Sequence, residues 1–173
     1  MKTMKGKNGL AVVVAALMIC ATIFITQTTA SPAEYTVYFC PNDRCDEAVI
    51  NQINGAETSI YVAMYSFTLD SIGDSLIAAK KRGVEIHVVL DNQQAASDYS
   101  EYQRLLDAGI DVKLDAGSYY MHNKFAVIDG KTVITGSYNW TDRATNGNDE
   151  NLIVINSVSL AQQYRADFAL IEV

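Results

Sequence analysis

Nine residues, SIYVAMYSF from Ser59 to Phe67, constrain the fold of this chain more than any other stretch. They are rich in β-branched and aromatic side chains and show no polar alternation. Such a strand is buried on both faces and needs other layers of structure above and below it. A helix is predicted next, from about Asp70 to Arg82, because Ile72, Leu76, Ile77 and Ala79 recur at helical spacing. It closes on KKRG, with basic residues in the last turn and a glycine beyond. Val84 to Asp91, VEIHVVLD, reads as another apolar strand. Strand, helix, strand is the order of an α/β fold, a mixed and mostly β-sheet core flanked by helices.

The flanking segments extend the same alternation. Glu34 to Phe39 reads as a first strand ending at the turn residues Pro41, Asn42 and Asp43. A helix from about Asp46 to Ile53 follows, closed by Asn54-Gly55. After VEIHVVLD, the polar NQQAAS reads as a loop, a helix runs from about Asp98 to Ala108, and IDVKL forms a short strand. Asp142 to Glu150 has no apolar periodicity and reads as a loop with at most one short turn. LIVI, Leu152 to Ile155, is a further buried strand, and Leu160 to Ile171 a last helix with Tyr164, Phe168 and Ile171 on its inner side. No repeat or Pro-rich linker interrupts the chain, which predicts a single domain over residues 31–173.

Residues 1–30 have the order of a secretory signal peptide: Lys2, Lys5 and Lys7, an uncharged run from Leu10 to Ile25, then small residues with cleavage after Ala30. An uncleaved anchor is the competing reading of the same run. Removing the leader takes away three lysines and no acid, so the net charge goes from −7 to −10. That balance argues against binding a polyanion through the overall field; any phosphate must be gripped locally, with Lys124, Lys131 and Arg143 as the available rim. Export places the mature chain in the periplasm or outside the cell, with no stable membrane association. In that oxidising setting Cys40 and Cys45 of CPNDRC are expected to form a disulfide rather than a metal site.

The chemistry concentrates in MHNKFAVIDGKTVITGSYN, Met121 to Asn139. His122 and Lys124 stand two apart in a run that reads as a strand, so a nucleophile or base and a fixed cation share one face. Ser137 and Asn139, after Gly136, add a hydroxyl and an amide suited to phosphate oxygens. Asp129-Gly130, between FAVI and TVIT, is a two-residue hairpin signal. Tyr119, Tyr120, Phe67 and Trp140 flank the motif and can stack on bases or simply pack. His87, the other histidine, has no phosphate-binding neighbour and is given no role.

His122, Lys124, Asp129, Gly136, Ser137 and Asn139 match the H-x-K-x4-D-x6-G-S-x-N signature of the phospholipase D superfamily. AMYSFT at Ala63 to Thr68 and NDEN at Asn148 to Asn151 extend the likeness. In length, single motif and leader the chain resembles the small bacterial nonspecific endonucleases of that family. The resemblance implies a phospholipase D-like fold and a two-step, metal-independent, cofactor-free reaction. One histidine attacks phosphorus and a second protonates the leaving oxygen, which one motif per chain supplies only in a homodimer with the site on the two-fold axis. Lys124, Ser137 and Asn139 would bind phosphate, and Glu150 would accept a hydrogen bond from the nucleophilic histidine; a solvated loop carboxylate is its other reading. Asp129 enters the catalytic set through the signature, although the turn is its favoured role. The implied activity is hydrolysis of DNA, with RNA as a second substrate; lipid phosphodiesterase and non-catalytic nucleic-acid binding are the alternatives.

Overall fold

The computed structural model describes residues 33–173. The predicted leader lies outside the described residues. One seven-stranded sheet organises the rest, built from β1 (Glu34–Cys40), β2 (Ser59–Met64), β3 (Glu85–Leu90), β4 (Asp111–Leu114), β5 (Lys124–Ile128), β6 (Thr132–Gly136) and β7 (Glu150–Asn156). Its order is β1-β7-β6-β5-β2-β3-β4. β2, β3 and β4 run parallel, and β5, β6, β7 and β1 are added antiparallel. Helices α1 (Cys45–Asn54), α2 (Asp70–Lys81), α3 (Asn92–Ala95), α4 (Tyr102–Asp107), α5 (Asp142–Asn146) and α6 (Val158–Phe168) fill the connections. This is the mixed sheet flanked by helices that the strand and helix patterns predict.

The two faces of the sheet are covered unequally. On one, Val49 and Ile53 of α1, Ile72 and Leu76 of α2 and Leu105 of α4 pack on Ile60, Val62, Ile86, Val88, Ala126 and Ile134. Each fully buried aliphatic side chain there contributes about 1.5–3 kcal/mol. On the other, α6 alone lays Leu160, Tyr164 and Phe168 over Ala63, Val89, Phe125, Val127 and Val133. Tyr35, Val37 and Phe39 alternate along one side of edge strand β1 and stay 64%, 40% and 61% exposed. Cys40 and Cys45 are disulfide-bonded across the turn from β1 to α1.

Three local readings change. NQQAAS is not wholly a loop: Asp91 accepts hydrogen bonds from the amides of Gln93 and Gln94 at 3.1 and 2.9 Å, and this cap starts α3. The helix expected from Asp98 begins only at Tyr102, because Ser97 and Ser100 turn the chain first, accepting at their hydroxyls from Tyr99 and Tyr102 amides. β2 stops at Met64 rather than Phe67, since the Tyr65 amide donates to the Asn123 carbonyl and Phe67 bridges to Trp140. His87 is structural, stacked on Tyr61 at 4.8 Å with its ring nitrogens held by Asp111 and Glu85.

Candidate active site

Lys124 opens β5, but His122 precedes the strand. The expected strand geometry for the pair is therefore corrected: both are brought together by a pinned loop and not by a shared pleat. Buried Asp91, at the end of β3, accepts from the Met121 amide at 3.1 Å, and the Asn123 carbonyl takes the Tyr65 amide at 2.8 Å. His122 is thus an exposed residue between two anchored neighbours. Its ring lies 4.4 Å from the ring of Tyr65, and the Lys124 ammonium sits 5.1 Å over the same tyrosine.

Lys124 Nζ donates to the His122 carbonyl at 2.9 Å and approaches the two ring nitrogens at 3.2 and 3.4 Å. A cation can donate to an imidazole nitrogen only where that nitrogen keeps its lone pair, which is also what nucleophilic attack requires. Burial lowers the Lys124 pKa and the nearby Glu150 carboxylate opposes that shift. A half-buried ammonium beside an exposed imidazole offers charge for the non-bridging oxygens of a phosphodiester.

The β6–β7 connection supplies the other half. Gly136 adopts φ +146° where a Cβ would stand 2.2 Å from the Asn151 carbonyl oxygen, so only glycine lets β6 and β7 approach this closely there. The amides of Ser137 and Tyr138 then donate to that oxygen at 3.1 and 3.3 Å. Ser137 Oγ donates to Glu150 at 2.5 Å and accepts from the Asn151 amide at 3.1 Å. The hydroxyl expected to bind phosphate is engaged here by Glu150. Glu150 likewise does not hydrogen-bond His122, its second oxygen accepting from Asn148 at 3.0 Å. Facing Lys124, it acts on the pair as a counter-charge. Asn139 Oδ1 is buried without a hydrogen-bond partner among the described residues, an arrangement that costs about 1–3 kcal/mol unless something outside the chain satisfies it.

Asp129 leaves the catalytic set. It lies at the far end of β5 from Lys124, in a left-handed conformation with φ +51° in the β5–β6 turn. Its carboxylate accepts from the amides of Glu57, Thr58 and Ser59 and from the Thr58 hydroxyl. Burial pushes its pKa up, but those donors outweigh it and hold the group at about 2. Tyr65 and Asp91 are the site residues that sequence reasoning missed. Tyr65 lies inside AMYSFT, and Asp91 is the acid closing an otherwise apolar strand, a place where a carboxylate is buried only if it has backbone donors to hold. Among the described residues, no group of three or more His, Cys, Asp and Glu side chains gathers as a metal site.

Comparison with known proteins agrees with this arrangement. Residues 49–171 match the family described as cardiolipin synthase, PLD-like domain. The chain is 35% identical over 132 residues to a mitochondrial cardiolipin hydrolase of Xenopus laevis, covering 75% of this chain and 63% of that protein's length. It is 38% identical over 134 residues to a phospholipase D of Rickettsia conorii, covering 78% of this chain and 67% of the relative. The crystal structure of Nuc, a phospholipase D family member from Salmonella typhimurium, superposes with a TM-score of 0.76 at 33% identity over 79% of this chain and 92% of Nuc. With the signature's histidine and lysine in contact and its glycine, serine and asparagine lining the same end of the sheet, the chain belongs to the phospholipase D superfamily.

Proposed function

We propose that this protein is an exported phosphodiesterase that cleaves DNA, and RNA as a second substrate, without sequence preference. The observation that carries the reading is the contact of Lys124 with an exposed, loop-pinned His122. His122 attacks phosphorus, forming a P–N bond, and the P–O bond to the leaving oxygen breaks as that oxygen takes a proton from a second imidazole. That imidazole then removes a proton from water, whose oxygen displaces the histidine and restores both groups. No metal or cofactor enters this scheme. The chain matches nearly the whole length of Nuc, a phospholipase D family member; the nucleic-acid substrate rests on the resemblance of the single motif and short chain to the small bacterial endonucleases of that family.

The second imidazole would come from another copy of the chain, since His87 is held on β3 by Glu85 and Asp111. The uncovered stripe Tyr35, Val37 and Phe39 supports self-association, and the need for a second imidazole supports sharing the site between the two copies of a homodimer. Phe39 pairs with Asn151, the neighbour of Glu150 in β7, and its side chain lies on the other face of the sheet from Glu150.

A lipid phosphodiester is the second reading, favoured by the names of the cardiolipin hydrolase and phospholipase D relatives. Incubation with plasmid DNA in EDTA, in parallel with phospholipid vesicles, separates the two. Nicking that persists in EDTA and is lost in His122→Ala supports the nuclease; lipid headgroup release with intact plasmid refutes it. A Phe39→Asp protein that becomes monomeric and keeps full turnover refutes the shared site.

A further inference from the structure

The four aromatics around the motif fall into two kinds. Phe67 and Trp140 are 2% and 1% exposed and lock edge to face at 4.9 Å, which is packing. Tyr119 and Tyr120 are 91% and 59% exposed. They are not on a loose loop. The Asn92 amide donates to Asp115 at 2.7 Å, the Met121 amide to Asp91 at 3.1 Å, and the Ala116 amide to the Glu172 carbonyl at 2.9 Å. The short segment that carries both rings is therefore anchored on either side of them. Tyr120 also touches the site, its ring 5.8 Å from Tyr65, whose own ring lies 4.4 Å from His122.

Beside these rings opens a cleft of about 400 Å³, lined by the two tyrosines, Ser118, Ile171, Asp115 and Glu172. Its lining includes two carboxylates and no cation. Such a surface repels phosphate and accepts a flat, uncharged group. A strand with its phosphate on Lys124 and His122 carries one such group next to it, a nucleobase. A base within a duplex has both faces covered by its neighbours, whereas an unpaired base has a face to offer.

Resting on the nuclease reading, we propose that Tyr119 and Tyr120 form a stacking subsite for an unpaired base adjacent to the scissile phosphate, making single-stranded nucleic acid the preferred substrate. In a chain with net charge −7, base stacking supplies affinity that long-range attraction to phosphate does not.

The test compares kcat/KM for three oligonucleotides, one single-stranded, one with an abasic sugar beside the scissile phosphate, and one duplex. The wild-type protein is expected to prefer the single strand by about tenfold over both others, the order of one base–aromatic stack. Tyr119→Ala/Tyr120→Ala should collapse that ratio toward one, and Tyr119→Phe/Tyr120→Phe should restore it. Because the ratio is read within each variant, general damage to His122 through Tyr65 does not mimic the effect. An unchanged ratio in the double alanine variant overturns the subsite while leaving the nuclease reading intact. Failure to cut any oligonucleotide while hydrolysing phospholipid vesicles overturns the nuclease reading and this inference with it.

Discussion

Replacing Asp129 by Asn tests the assignment of the signature's acid to structure. Asparagine tolerates the left-handed φ of +51° at this position, so the turn itself is kept and only the charge is removed. The carboxylate is held from an ordinary 3.8 to about 2 by backbone and hydroxyl donors that overcome its burial. That difference corresponds to about 2 kcal/mol of stability, and an amide, with one acceptor in place of two, forfeits most of it. For a domain of this size the expected fall in Tm is roughly 6 °C. A depressed carboxylate pKa contributes stability that is fully present above the unfolded value and is lost as pH falls through the folded one. The gap between the wild type and Asp129→Asn should therefore be constant above about pH 4 and close as pH approaches 2. The assay is thermal unfolding across that range, with phosphodiester cleavage measured well below both melting temperatures. Turnover per folded molecule should be retained, because Asp129 lies five residue steps along the strand from Lys124, about 17 Å. Wild-type stability combined with lost turnover would refute the reasoning and return Asp129 to the chemistry.

Two further substitutions probe the site from its other side. Glu150→Gln removes the counter-charge that opposes the lowering of the Lys124 pKa by burial, so Lys124 should lose its proton at lower pH. The alkaline limb of the pH–rate profile should move down, and an unmoved limb would show that Glu150 does not act on Lys124. Gly136→Ala places a methyl group against the Asn151 carbonyl at a backbone angle that side chains avoid, a cost on the order of 3 kcal/mol. The expected outcome is a sharply reduced melting temperature by calorimetry; a variant of normal stability would mean the close β6–β7 approach can shift without penalty.

Much of the fold was legible because each element carries its own signal. SIYVAMYSF gave β2 by its unbroken apolar character, and the Ile72, Leu76 and Ala79 stripe gave α2. What escaped depends on contacts between segments distant in sequence. α3 exists because buried Asp91 caps it, and the same carboxylate holds the Met121 amide thirty residues on. The continuous apolar run after His122 predicts a strand there, yet the backbone is tied to Asp91 and Tyr65 and not to a ladder partner. Spacing shows the hydroxyl of Ser137 and not its partner. The register Gly136↔Leu152 decides that partner, bringing Glu150 alongside.

The spacing of the signature can itself be read as a measurement of the sheet. The four residues between Lys124 and Asp129, Phe125 to Ile128, are the remainder of β5. Asp129 binds the amides that lead into β2, at Glu57, Thr58 and Ser59, and so fixes where β5 ends against the start of its neighbour. From that anchor the pairs run Ile60↔Ile128, Val62↔Ala126 and Met64↔Lys124. Tyr65 follows Met64 directly, and the register therefore delivers the Lys124 ammonium over the Tyr65 ring and against His122. A slip of one residue would turn Lys124 into the opposite face of the sheet and Phe125 toward the substrate. The acid of the motif thus bears on the site from the opposite end of the strand, by holding the register that puts Lys124 beside His122.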